Sequence, residues 1–415
     1  MAREMKDSEV EWIGRIPESW EIGQIGQLYV ERKQKVSDTD YPPLSVTMKG
    51  ILPQLSTAAK TDAHDDRKLV CKGDFAINSR SDRRGSCGIS PFDGSVSLIN
   101  TILMPRGKMH PVYYEWLFHS TMFSDEFYKW GHGIVDDLWT TNWQDMKKIS
   151  VPIPPYEEQT RIASFLDAEC ARIDSVIEQT RASIEEYKKL KQAVITRAVT
   201  KGIRPDRAMK DSGIEWIGGI PEEWEIIRIK WLLNERNERS ENGEEEPLSM
   251  SQKYGLIPTK EMDIVPNMAS SFVGAKLCHK NDLVFNKLKA HLGVFAVSQY
   301  DGLVSPDYAV YYANSKVNLK YLEYLFKTPQ YIGEFKKKST GVGAGLTRLY
   351  TTGLYSIPCA LPSLSEQVAI VDYLNGKIQE MNSLIEVKEQ LLSEIEKYKK
   401  SLIYEYVTGK KEAPL

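Results

Sequence analysis

The strongest constraint on this chain is that it repeats itself. Asp7-Ser8-Glu9-Val10-Glu11-Trp12-Ile13-Gly14-Arg15-Ile16-Pro17-Glu18-Ser19-Trp20-Glu21-Ile22 returns, 204 residues later, as Asp211-Ser212-Gly213-Ile214-Glu215-Trp216-Ile217-Gly218-Gly219-Ile220-Pro221-Glu222-Glu223-Trp224-Glu225-Ile226. An interval about one domain long marks a tandem duplication, not a solenoid of short repeats. Further on the offset settles at 208. Lys72-Gly73-Asp74 and Asn78 answer to Lys280-Asn281-Asp282 and Asn286, Asp93-Gly94 to Asp301-Gly302, and Glu158-Gln159 to Glu366-Gln367. The change of offset predicts an insertion of about four residues in a surface loop. Two copies of one unit imply a partner that also offers two related sites.

Each copy holds two segments of different kind. The first reads as mixed α/β: apolar runs such as Phe75-Ala76-Ile77, Leu283-Val284-Phe285 and Tyr308-Ala309-Val310-Tyr311-Tyr312 are bounded by Gly, Pro, Asp and Asn, the strand-and-turn pattern. Tyr113 to Phe118 and Leu319 to Phe326 read as short helices. The second segment has no Gly or Pro from Glu157 to Thr200. Its apolar residues recur at helical steps along Ile162, Leu166, Ile173, Ile177, Thr180, Ile184, Tyr187, Val194 and Ala198. The later copy offers Ile370, Leu374, Ile378, Met381, Ile385, Leu392, Ile395, Tyr398 and Leu402, interrupted by Gly376. Ser363-Leu364-Ser365-Glu366 fits a capping box, and Gly202 and Gly409 stand where helix C-termini favour glycine. A helix of about 40 residues spans roughly 60 Å and needs a long partner, which the other copy supplies. The expectation is two α/β heads and an antiparallel pair of long helices.

The hydrophobic share of 41% and charged share of 27% are those of an ordinary soluble protein. No apolar segment follows the first residues, so no signal peptide is expected, and no run approaches a membrane span. Five scattered cysteines without a CxxC pair argue against a disulfide framework or zinc site and predict a cytoplasmic protein. The net charge of −3 does not advertise a nucleic-acid binder, but a patch matters more than the total. Residues 67–84 carry Arg67, Lys68, Lys72, Arg80, Arg83 and Arg84 against Asp74 and Asp82. Residues 276–291 carry Lys276, Lys280, Lys287 and Lys289 against Asp282.

The signature at 211–224 resembles the entry to the target-recognition domains of type I restriction–modification specificity subunits. The first copy departs from it at Glu9-Val10. Ile153-Pro154-Pro155-Tyr156-Glu157-Glu158-Gln159 and Leu361-Pro362-Ser363-Leu364-Ser365-Glu366-Gln367 resemble that family's Pro-Pro-Leu-x-Glu-Gln junction into its long helix, departing at Tyr156 and Ser363. The resemblance covers essentially the whole chain. It implies a target-recognition domain at 1–150, a spacer helix at 151–203, a second target-recognition domain with its entry linker at 204–357, and a second spacer helix at 358–415. It also implies a non-catalytic DNA-binding subunit, each head reading one half of a split, asymmetric site. Two methyltransferase subunits using S-adenosylmethionine and restriction subunits using ATP and Mg²⁺ would join it, with no cofactor on this chain. On physical grounds, a pseudo-twofold reader engages half-sites about 34 Å apart or a multiple of that.

The basic windows are the candidate DNA contacts. Lys72, Lys276 and Lys280, with Arg80, Arg83, Arg84, Lys287 and Lys289, would neutralise phosphates. Arg83 or Arg84 would suit guanine edges, and Asn78 or Asn286 an adenine. Lys49 and Lys253, before Gly50-Ile51-Leu52-Pro53 and Gly255-Leu256-Ile257-Pro258, are further candidates. So are two polar loops, Gly131 to Asn142 and Ser339 to Arg348. A solvated surface loop has the same composition, and only recurrence in both copies favours DNA.

Other motifs carry less. Gly341-Val342-Gly343-Ala344-Gly345 follows lysines, not the strand a cofactor loop requires. Ile153-Pro154-Pro155-Tyr156 lacks the amide or carboxylate of an amino-methyltransferase box. Pro306-Asp307 with Glu334-Phe335-Lys336 mimics a nuclease triad, but the first copy has Ile99 opposite Asp307. Trp12, Trp20, Trp216 and Trp224 suit packing better than base stacking. The competing functions are a stand-alone methyltransferase or nuclease, and a coiled-coil scaffold with protein-binding heads.

Overall fold

The computed structural model describes residues 3–54, 66–133, 139–264, 271–341 and 347–414. The chain divides into two compact units, Met1–Ala182 with Glu389–Leu415 and Ser183–Lys388. Each unit is therefore a head, part of its own long helix, and part of the other.

The first head is built on a four-stranded antiparallel sheet ordered Cys87–Ile89, Phe75–Asn78, Asn100–Pro105, Tyr29–Glu31. Successive side chains of a strand point to opposite faces, so Phe75-Ala76-Ile77 feeds two cores. Phe75 and Ile77 join the large core with Tyr113, Tyr114, Phe118 and Phe123. Ala76 turns to a smaller core with Leu44, Ile51, Val70, Val96 and Ile102. That smaller core seats a hairpin, Leu44–Thr47 paired with Gly50–Pro53.

The second head repeats this. Its sheet runs Leu233–Arg236, Tyr308–Ala313, Leu283–Asn286, Phe295–Val297. Leu283 and Phe285 face the large core. Val284 faces the small one with Leu248, Met250 and Leu256 of the hairpin Leu248–Ser251/Gly255–Pro258.

The first long helix, Tyr156–Lys201, has 46 residues, and the second, Leu364–Val407, has 44. In the first unit Ile162, Leu166, Ile173 and Ile177 are buried with Leu402, Ile403 and Val407. Phe165 meets Tyr406, Asp174 meets Lys399 and Arg181 meets Glu396, an antiparallel register. In the second unit Tyr187 meets Lys388 and Lys191 meets Asn382, again antiparallel. The anticipated seam is buried or half-buried throughout except at Tyr398, which is 51% exposed. There the seam passes to Lys399, which is partly buried and pairs with exposed Asp174, and its neighbour turns out. Gly376 does not interrupt the second helix.

The repeated signatures join head to helix. Trp20 Nε1 donates to Glu158 at 2.8 Å and Trp224 Nε1 to Glu366 at 3.1 Å, while Arg3 and Arg207 pair with the same two carboxylates. Gln159 Oε1 accepts from the His110 N–H and its amide donates to the Pro154 carbonyl. Gln367 does the same with Asn318 and Pro362. Ser363 Oγ caps the Glu366 N–H at 3.3 Å, but Glu366 spends its carboxylate on Arg207 and Trp224 instead of closing the box. The far helix ends are fixed in the same way. Tyr113 OH donates to the Val407 carbonyl in the first unit, and Tyr321 OH to the Val199 carbonyl in the second. Gly202 and Gly409 have φ of +76° and +72°. A Cβ on Gly409 would lie 2.5 Å from Pro17, so close approach as well as backbone conformation requires glycine there.

Candidate nucleic-acid interface

Three loops meet on each head. In the first head the basic loop follows strand Phe75–Asn78, with Ser81–Arg83 forming one short turn. Arg80 and Thr140 form a β-bridge, and the Thr141 N–H donates to the Ser79 carbonyl, so the second polar loop lies against the first. Leu44 to Met48 of the hairpin and Asn78, Arg80, Arg83 and Arg84 line one open groove. In the second head the Leu349 N–H donates to the Lys287 carbonyl. Gln252 Nε2, at the hairpin tip, donates to the Leu292 carbonyl just beyond Lys289. The repetition in the sequence thus becomes a repetition of place: hairpin tip, basic loop and second polar loop converge twice.

The guanidiniums are oriented by neighbouring carboxylates. Arg80 pairs with Asp82 at 2.9 Å, Arg84 with Asp125 at 2.9 Å while lying over the Tyr128 ring, and Arg348 with Asp307 at 2.7 Å. Arg83 is looser, 3.7 Å from Asp82. Lys287 donates to the Pro306 carbonyl. Burial first, then the charge of Lys276, pull the Lys287 ammonium below its ordinary value, against the opposing pull of Asp307 and Glu235. Lys49, Lys253 and Lys289 are exposed.

Other candidates lie elsewhere or are otherwise engaged. Lys276 is 6% exposed and paired with Glu235 at 3.2 Å. Lys72 and Lys280 are exposed, but each precedes the strand whose far end carries the basic loop. Their N–H groups are held by Asp93 and Asp301. Asn142 caps a helical turn through the N–H groups of Gln144 and Asp145. Asn78 Oδ1 accepts from Arg80 N–H, and Asn286 Oδ1 from Leu288 and Lys289 N–H. Bidentate adenine recognition needs that oxygen and the amide together, so here these asparagines shape their loops.

The tips of the second polar loops, 134–138 and 342–346, lie outside the described residues, and with them most of the glycine run 341–345. Their stems are paired: His132 with Thr140, and Thr340–Gly341 with Thr347–Arg348. Of the tryptophans, Trp12, Trp20 and Trp224 are buried, and Trp216 packs edge-on against Tyr331 at 4.9 Å. Asp307 and Glu334 pair with Arg348 and Lys337. Among the described residues no helix is long and apolar enough to cross a membrane. Sequence reasoning missed the hairpins as partners of the basic loops. A lysine at each tip followed at once or one residue later by glycine (Lys49-Gly50, Lys253-Tyr254-Gly255) was the available signal.

This duplicated geometry has known counterparts. The family model for the type I restriction modification DNA specificity domain matches residues 17–186 and again 221–397. The chain belongs to that family: it specifies DNA sequence within a type I restriction–modification system and is not itself the catalytic subunit. The type I restriction enzyme MjaVIII specificity subunit of Methanocaldococcus jannaschii is 24% identical, covering 95% of this chain and 94% of that protein. The putative MjaX specificity subunit of the same organism is also 24% identical, covering 96% and 95%. A solved chain described for complex assembly and conformational transition of the type I R-M system has a TM-score of 0.72 at 14% identity, covering 95% and 99%. The HsdS subunit of Thermoanaerobacter tengcongensis gives 0.53 at 15%, covering 95% and 98%. These two likenesses are of fold.

Proposed function

We propose that each head reads one half of a bipartite, asymmetric DNA site, and that the long helices set the spacing between half-sites. The observation that carries this reading is the recurrence, at equivalent places in both heads, of a hairpin tip set beside a basic loop. Lys49, Arg80, Arg83 and Arg84 are the contacts of the first head, and Lys253, Lys287, Lys289 and Arg348 those of the second. Lysines supply salt-dependent affinity for phosphate, and arginine forks reach guanine edges. Lys276 holds Glu235 and stands outside the interface, Lys72 and Lys280 stand at the opposite ends of the strands that carry the basic loops, and Asn78, Asn142 and Asn286 act in support of that surface.

The helices recruit two methyltransferase subunits and then restriction subunits, which bring S-adenosylmethionine, ATP and Mg²⁺ in the cytoplasm where the DNA lies. Leu384 and Val387 support docking there, since both are exposed on the second long helix one step of three apart. The test is the full chain with Lys49, Arg80, Arg83 and Arg84 changed to alanine, titrated with a random-sequence duplex across salt concentrations. The slope of log affinity against log salt should fall by roughly two to four, since each phosphate contact contributes about 0.9. Unchanged affinity and slope would overturn the assignment and favour heads that bind protein.

A further inference from the structure

We infer that Met48 and Tyr254, at the tips of the two hairpins, contact bases and set the sequence preference of their own heads. This rests on the DNA-reading function proposed above. Met48 is 73% exposed and Tyr254 44%. A lone exposed apolar side chain needs no explanation, so exposure decides nothing. Position does.

Both tips carry a lysine, and a lysine on phosphate holds a duplex without reading it. The neighbour differs between heads. In the first head a two-residue loop, Met48-Lys49, closes the hairpin, with methionine before the lysine. In the second the loop is Gln252-Lys253-Tyr254, and the extra residue is an aromatic after the lysine. Lys253 Nζ lies 4.3 Å from the Tyr254 ring centre, so the ring stands directly beside the tip lysine.

The tips are also fixed against the strands that follow the basic loops. A Cβ on Gly88 would meet the Gly50 Cα at 2.9 Å, and a Cβ on Gly255 would meet the Ala296 Cβ at 3.1 Å. Gly88 lies in strand Cys87–Ile89, after Arg84, and Ala296 in strand Phe295–Val297, after Lys289. A duplex bound by either basic loop therefore meets the adjacent tip at a defined depth. The side chain beside the tip lysine then faces bases. Methionine offers a flexible thioether for thymine methyl groups or a base step, and tyrosine a rigid ring. Two unlike tips on one backbone frame give unlike half-sites.

The experiment selects duplexes from a randomised pool with the full chain and sequences the bound fraction. It compares wild type with Met48→Ala, Tyr254→Ala and Tyr254→Phe, all checked for unchanged melting. Met48→Ala should lose roughly tenfold in preference at one or two base pairs of one half-site. Tyr254→Ala should do so in the other half-site, and Tyr254→Phe should retain the wild-type motif. The salt slope should not move, because no charge is removed. A wild-type motif kept intact by both alanine variants overturns this inference alone. A wild type that enriches no sequence overturns it together with the function on which it rests.

Discussion

Glu115 and Glu323 occupy the same place in the two heads, each accepting a strand N–H, from Ile89 at 2.9 Å and Val297 at 3.1 Å. They titrate in opposite directions. Burial raises the Glu115 carboxyl above its ordinary value, against the Ile89 hydrogen bond. Burial also pushes Glu323 up, but Lys327 and Lys320 outweigh it, and the net shift is down. The linkage signs follow. Stability from Glu115 is fully present below its unfolded pKa and is lost as pH rises through the folded value. Stability from Glu323 is present above its unfolded pKa and is lost as pH falls through the folded value. Glu323→Gln should therefore cost about 2 kcal/mol at neutral pH, leaving two lysines against an uncharged buried group, and much less in acid. Glu115→Gln should be neutral or stabilising at neutral pH. Calorimetry at the two pH values checks both. Lys276 gives a second prediction. Lys276→Met should leave the salt slope of DNA binding unchanged, whereas Lys289→Ala should lower it by about one. Equal loss of slope in both variants would put Lys276 on the DNA.

At the scale of elements, the legible parts are those whose sequence pattern matches the surfaces they serve. Phe75-Ala76-Ile77 reads as a strand because an apolar run bounded by turn residues suits an element with a core on each face, and Ile162 to Ile177 reads as a seam because one helix face meets one partner. Tyr398 departs from the seam because steps of three and four from Leu392 and Ile395 lead to Lys399 and Leu402, which leaves Tyr398 to one side. The candidate site was half legible. Composition marks the basic loops, but it cannot separate Lys276, buried on a strand, from Lys289, exposed on a loop. Nor does local sequence reveal that a hairpin about 30 residues upstream lies against the basic loop, which is a tertiary fact. The glycines of the helices divide on the same ground. Gly376 sits inside the second long helix, and a Cβ there would have nothing within 4 Å. Gly376→Ala should therefore stabilise the chain by about 1 kcal/mol. Gly409→Ala should destabilise it by more than that, since φ is +72° and Pro17 stands in the way. Thermal melts of the two variants should move in opposite directions, and a shift of either one against its stated sign would contradict the expectation for that glycine.

At the scale of the whole molecule, the first unit is completed by a distant stretch of chain. Glu389–Leu415 belongs with Met1–Ala182, while Ser183–Lys388 is continuous. Leu402, Ile403, Val407 and Ala413 are buried in the core that holds Trp12, Trp20 and Tyr113. Tyr404 OH and Lys410 Nζ donate to backbone carbonyls of Trp12 and Ile13. At about 2 kcal/mol for each large apolar side chain, removing that stretch takes away roughly 6 kcal/mol or more, comparable with the whole stability of a typical domain. The cut would also uncover the seam from Ile162 to Ile177. A chain ending at Lys388 should therefore lose the calorimetric transition of the first unit and keep that of the second, whose residues are all present. Limited proteolysis should cleave within 1–182 and spare 183–388. Survival of both transitions would mean that the first head needs no residue of the second helix, and the pairing described for that unit would then be an incidental contact.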